Sequence, residues 1–166
     1  HVLGQKRLPM IIVDMKDLIR NPKEFSARGA GVLGMMNFGR NYFYALNEDM
    51  QLDVIGLKAF LKEYGHEPFL IFGFTFMVWQ YFLMQLQDLS VDLSSGILIH
   101  SGGWKKLQEF AVDNEAFKER FKWDTGLNRI YNFYGMVEQV GSVFLEGDDG
   151  FLFSPNFADV IIRDPS

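Results

Sequence analysis

Two spacings of apolar residues alternate along this chain. Residues 8–14, LPMIIVD, form a short apolar run rich in β-branched side chains, the pattern of a buried strand. Residues 15–25 are charged and predict a short helix, broken near Asn21-Pro22. Residues 26–41 are dense in glycine (Gly29, Gly31, Gly34, Gly39), which predicts loop and short strand rather than helix. YFYAL, 42–46, reads as a strand. In 53–64 the apolar positions Val54, Ile55, Leu57, Phe60 and Leu61 have helical spacing, with Asp53 placed to cap the start and Gly65 to end it. GILIH, 96–100, is another buried strand. Residues 103–112 and 114–123 read as helices, with Asn114 as N-cap of the second. RIYNFYG, 129–135, is a strand. SVFLE, GFLFS and ADVII close the chain with β signals, the first two joined across Gly147-Asp148-Asp149-Gly150. Strands alternating with helices predict an α/β fold. Its sheet is mainly parallel and flanked by helices, with a β-rich C-terminal portion.

Residues 69–86, FLIFGFTFMVWQYFLMQL, carry no charge over 18 residues. That is close to the roughly 20 apolar residues a membrane helix needs. The stretch nevertheless holds Thr75, Gln80 and Gln85, and its flanks are His66-Glu67 and Asp88 rather than Lys or Arg. It divides better into a strand, FLIFGFT, and a helix, FMVWQYFLMQLQDL, with no membrane span. Gly73 falls inside the strand, where another backbone or a ligand can come close. Phe72, Phe74, Thr75 and Trp79 are then either plain core or the wall of a pocket for an apolar substrate.

Composition narrows the classes. Seventeen Phe in 166 residues imply an aromatic core or an apolar binding surface. A net charge of −5 with no basic run argues against a nucleic-acid binder. The absence of cysteine removes disulfides, thiolate metal sites and a cysteine nucleophile within this chain, and fits a cytoplasmic protein. His1, His66 and His100 are too far apart in sequence for zinc-site spacing.

Two loops carry candidate chemistry. GILIHSGGWKK, 96–106, runs from strand through Ser101-Gly102-Gly103 into a helix, a way of presenting backbone N–H groups to a flat or anionic ligand. An α/β-hydrolase oxyanion loop would also begin His-Gly-Gly-like, but the G-x-S-x-G elbow it needs is absent. YNFYGMVEQVGS, 131–142, ends a strand at Tyr134-Gly135 and opens a short helix at Glu138. At the carboxyl ends of parallel strands such loops converge on a ligand crevice. An aromatic there can stack on a base, and a carboxylate can reach a hydrated Mg²⁺.

In this order the two loops resemble the adenylate-forming superfamily. There a Gly-Gly loop lines the adenine site, and Tyr-Gly-x-Thr-Glu follows about thirty residues later. FSARGAG, FGFTFMVW, HSGGWKK, YGMVEQ and PNFADVIIRDP more closely resemble the acyl-protein synthetase family of bacterial luminescence operons, and the closing part also resembles the phenylacetate–CoA ligase branch. The resemblance implies an acid–thiol ligase using ATP and Mg²⁺. A fatty or other apolar carboxylic acid becomes an acyl-adenylate, and its acyl group passes to a thiol, on a protein cysteine or CoA, with an acyl reductase as partner. Carried over, Ser101, Gly102 and Gly103 lie against adenine, Tyr134 with Gly135 stacks on it, and Glu138 holds Mg²⁺. Phe72, Phe74, Thr75, Trp79 and Met136 house the acyl chain.

The chain departs from that pattern in places. Val137 stands where the wider superfamily has Thr. The phosphate loop, the later ribose-binding Asp, the C-terminal domain with its catalytic Lys and the acceptor cysteine have no counterpart in these residues. The expectation is that residues 1–166 are part of the large N-terminal domain of an adenylate-forming enzyme and do not turn over alone. The rival expectation is a non-catalytic relative that binds nucleotide or acyl chains, or scaffolds a partner.

Overall fold

The computed structural model describes residues 4, 6–19, 27–104, 111–135, 143–147 and 149–156. The first apolar run becomes β1, Leu8–Met15, whose six inner residues are all buried. A strand buried on both faces belongs inside a parallel sheet. β1 pairs in parallel with both β2 (Gly39–Leu46) and β3 (Phe69–Phe74). β3 pairs in parallel with β4 (Gly96–Ser101), and β4 with β5 (Arg129–Gly135). β6 (Val143–Glu146) and β7 (Leu152–Phe153) then add antiparallel to β5, giving the order β2-β1-β3-β4-β5-β6-β7. The hairpin turn predicted across Gly147–Gly150 forms, with the Gly147 N–H donating to Phe151 and Gly150 at φ 81°.

The winding reverses direction once, and the helices follow it. From β1 the chain moves outward to β2 through α1 (Ala27–Met36). It then crosses back over β1 through α2 (Val54–Tyr64) and advances to β4 and β5. Right-handed crossovers put helices for the two directions on opposite faces. Val32 of α1 accordingly packs on Met10, Ile12, Leu70 and Phe72 on one face. Leu57 and Phe60 of α2 pack on the other, with Phe82, Leu86, Phe117 and Phe121, against Ile11, Ile71 and Leu98.

The uncharged stretch lies in this second layer. β3 stops at Phe74, one residue earlier than predicted, and Thr75 starts the helix. The helix has α turns at Thr75–Met77 (α3) and Met84–Leu86 (α4), with a π-wound middle at Val78–Leu83. No helix among the described residues is long and apolar enough to cross a membrane. Gln85 is satisfied internally: its Oε1 accepts from Leu52 N–H, and its Nε2 donates to the Met50 and Tyr81 carbonyls. What approaches Gly73 is the protein itself, since a Cβ there would lie 2.6 Å from Val78 Cγ2 and 2.8 Å from Val13 Cβ.

Two local predictions are corrected. The glycine-rich segment forms helix α1, not loop and strand. Its glycines permit close packing: a Cβ on Gly31 would sit 3.0 Å from the Phe74 ring. The last helix among the described residues, α5 (Asn114–Thr125), is capped by Asp113, whose Oδ1 accepts from Ala116 N–H at 2.8 Å. Asn114 is instead drawn to Glu146 of β6. Asp53 caps α2 as predicted, accepting from Gly56 N–H. Of the segment 15–25, the described part is a 3₁₀ turn at Lys16–Ile19. Most of the predicted 103–112 helix and the ADVII strand lie outside the described residues.

Candidate functional site

Parallel strands deliver their following loops to one edge of the sheet, and the crevice there is where α/β folds bind ligands. β4 ends at Ser101 and β5 continues to Gly135, with Ser101 paired to Phe133. The residues after this pair are Gly102, just past β4, and Tyr134, within β5, so the two predicted loops start side by side. Gly102 has φ 81°, a left-handed conformation that favours glycine. A Cβ on Gly103 would meet nothing within 4 Å, so its backbone stands open to an approaching flat group. Tyr134 is half exposed, its ring 6.2 Å from Phe144. Glu138 and Met136 lie outside the described residues.

The predicted acyl-wall residues divide between the two faces of the sheet. Phe72 is fully buried on the α1 side, with Phe133 stacked on it at 6.2 Å and Phe74 edge-on at 6.0 Å. Thr75 and Trp79 lie on the opposite side. There Trp79 stacks on Phe117 at 5.5 Å and meets Trp104 edge-on. Phe74 touches the apolar clusters of both faces.

Beneath the Gly102 loop is a cavity of about 150 Å³ bordered by Thr75, His100, Gly102, Trp104, Phe117 and Asn132, together with residues 112–114. His100 is 2% exposed, and its ring stacks on Phe117 at 4.6 Å. Thr75 Oγ1 donates to the Ser101 carbonyl at 3.1 Å and lies 2.9 Å from His100 Nδ1. A hydroxyl has one hydrogen, so with it on Ser101 the oxygen accepts from Nδ1–H. Burial, with the positive charge of Lys118 second, lowers the His100 pKa to about 3, so the ring is neutral at pH 7. Which bond takes the Thr75 hydrogen sets the ring tautomer. His100 Nε2 is buried without a hydrogen-bond partner.

A charged hub flanks this cavity. Glu146 is buried, and its Oε1 takes hydrogen bonds from Asn114 and, at 2.6 Å, from Lys118 Nζ. Its Oε2 accepts from the Asn132 backbone N–H at 2.8 Å. Glu146 thus ties the β6–β7 hairpin to α5 and β5. At the other end of the sheet's carboxyl edge, buried Asp14 pairs with Arg28 at 3.1 Å; burial raises its pKa, opposed by the Met15 N–H and by Arg28. A hollow of about 770 Å³ is an open groove on α5 beside the protruding Trp123. It is lined by Glu119, Arg120 and Lys122, a solvated helix face with no convergent chemistry. No group of three or more His, Asp or Glu among the described residues could hold a metal ion.

Sequence reasoning missed Asn132 in the cavity wall and Glu146 beside it. Asn132 is two residues before Tyr134 and on the same strand face, and Glu146 is a charge at the end of an apolar strand. Both were visible as polar residues in β runs. The partners of Glu146, Asn114 and Lys118, are far away in sequence, and nothing in the pattern signals the pairing.

A family model described as acyl-protein synthetase, LuxE, matches residues 1–166. No curated protein and no solved structure matches the chain.

Proposed function

The chain belongs to the acyl-protein synthetase family LuxE, a family of ligases that use ATP, and on that premise we propose that it serves ATP-dependent activation of a fatty or other apolar carboxylic acid. One carboxylate oxygen attacks the α-phosphate, and the bond to pyrophosphate breaks. A thiolate sulfur, from a protein cysteine or CoA, then attacks the acyl carbon and AMP leaves. The observation that carries this reading is the juxtaposition of Gly102-Gly103 with Tyr134 at the carboxyl edge of two adjacent parallel strands. The open glycine backbone takes one face of adenine, and Tyr134 takes the other. Ser101 holds the loop through its carbonyl bond to Thr75. Glu138 is the residue for Mg²⁺, which would neutralise charge developing on the phosphates. Phe74, Thr75, Trp79 and Met136 border the acyl group, and Phe72 backs Phe74 from within the core.

Turnover in this reading also requires a phosphate loop and a lysine-bearing domain. An acyl reductase is the partner that would consume the product, and the cytoplasm is the compartment. ATP–pyrophosphate exchange driven by tetradecanoate, measured on a protein that carries both of these parts, tests the reading. Tyr134→Ala should weaken ATP binding, by about tenfold if one base-stacking contact of roughly 1–3 kcal/mol is lost. Glu138→Gln should abolish the Mg²⁺-dependent exchange. Exchange left intact by Glu138→Gln removes the metal role. Saturable ATP binding without any exchange favours the second reading, a non-catalytic nucleotide- or acyl-binding relative. Val137, standing where a hydroxyl is expected, is the observation that favours it.

A further inference from the structure

Glu146 is a buried carboxylate at the end of a four-residue strand, and the reaction outlined above does not use it. Asn114 and Lys118 stand one turn apart on α5, and both donate to its Oε1. Its Oε2 takes the Asn132 backbone N–H. That last bond extends a very short ladder. β5 and β6 pair through Phe133 with Leu145, Tyr134 with Phe144 and Gly135 with Val143, and Asn132 and Glu146 are the residues that follow inward. A slip of one residue would turn every side chain of β6 to the opposite face. Phe144, whose ring lies 6.2 Å from that of Tyr134, would then point away from it. The Glu146 carboxylate would leave Lys118, Asn114 and the Asn132 N–H together. Parting a buried ion pair is costly even where the pair itself adds little net stability. The carboxylate therefore selects one register for β6.

We propose that Glu146 is a positioning residue that acts through Tyr134: it locks β6 where Phe144 backs the Tyr134 ring, and so holds that ring beside the open Gly102-Gly103 backbone. Its effect on the nucleotide rests on the reading of Tyr134 as the adenine-stacking residue. Glu146 touches no substrate and takes no part in bond making. A ring left free to swing must be ordered when ATP binds, and that ordering lowers affinity. Lys118 and Asn114 serve the same end by mooring the carboxylate to α5, whose Phe117 and Phe121 are set in the core.

ATP–pyrophosphate exchange by Glu146→Gln tests this, in a protein that also carries the phosphate loop and the lysine-bearing domain. The variant keeps the shape, but its one amide oxygen cannot serve both Lys118 and the Asn132 N–H. The KM for ATP should rise at least about threefold, short of the roughly tenfold expected for Tyr134→Ala, with kcat within about twofold of wild type. Added to Tyr134→Ala, the same change should raise KM no further. Lys118→Met beside Glu146→Gln should restore ATP affinity, because the amide oxygen then accepts from Asn132 while its NH₂ donates to the Asn114 side chain. In wild type, the Tyr134 and Phe144 rings should show a mutual nuclear Overhauser effect and the Asn132 amide should exchange slowly. That arm needs no variant, and absence of either signal would overturn the inference. An equal rise in KM with and without Tyr134 would overturn it too, since Glu146 would then act by another route. A joint loss of kcat and of affinity for both substrates, unrescued by Lys118→Met, would reduce Glu146 to plain scaffold and overturn it. If Tyr134→Ala leaves ATP affinity unchanged while Glu146→Gln abolishes the ring contact, the stacking reading falls and Glu146 stands as the residue that places the ring.

Discussion

Side-chain environment at single positions sets how this protein responds to pH. His100 ionises near its usual 6.5 when unfolded but only near about 3 when folded, because burial and the Lys118 charge oppose its proton. As pH falls below 6.5 the unfolded chain binds a proton that the folded chain refuses, so stability drains away down to about pH 3. Between pH 7 and 5 that one group accounts for about 2 kcal/mol. Urea unfolding of wild type and His100→Gln at both pH values checks it: wild type should lose about 2 kcal/mol more than the variant. A parallel loss in the two proteins would mean that the ring is protonated in the folded state. Nothing in the spacing of His1, His66 and His100 foretold this. The sequence shows a histidine at the end of an apolar strand, but the Thr75 and Phe117 that define its chemistry come from elsewhere in the chain.

Elements were legible where period and punctuation agreed. α2 has apolar residues at helical spacing between Asp53 and Gly65, and it forms between those residues. β1, β3, β4 and β5 are short apolar runs, and all four are strands. Elements were misread where packing overruled local preference. Each glycine costs an interior helix position roughly 1 kcal/mol, which made 26–41 look non-helical. Val32 and Met35 nevertheless settle α1 on the sheet, and glycine lets the helix approach Phe74. Asn114 lost its capping role because Glu146, distant in sequence, holds its side chain. Gly73 is the matching case in a strand. Gly73→Ala must displace both Val78 and Val13, an overpacking that should cost about 1–3 kcal/mol in denaturant unfolding. A cost below 0.5 kcal/mol would mean that the helix following β3 slides freely on the sheet.

At the scale of the molecule, strand order was out of reach of the sequence. Alternating elements imply a parallel sheet, yet they do not say that β1 lies between β2 and β3 or that the winding reverses there. The site shows the same limit. Gly102 and Tyr134 could be named from their loops, but their adjacency depends on β4 pairing with β5. The division of Phe72 from Trp79 depends on which face each helix covers. Position in the sheet also grades local stability. Amide exchange should be slowest in β1, β3 and β4, which are paired on both edges and buried, and fastest in β7, a two-residue strand with exposed side chains at the margin. Uniform protection across all seven strands would contradict that gradient.

The interior position of β1 also governs how the chain can be made. Met10 pairs with Leu70, about sixty residues further on. At 5–20 residues per second of synthesis, the ribosome needs roughly 3–12 s to supply that partner. During that interval one edge of the segment Met10–Val13 has no mate, and its most water-averse side chains have no completed sheet to enter. β1 is therefore made well before β3, the strand that covers its second edge. That is the circumstance in which a chaperone binding short extended apolar segments would engage β1 before α2 has folded.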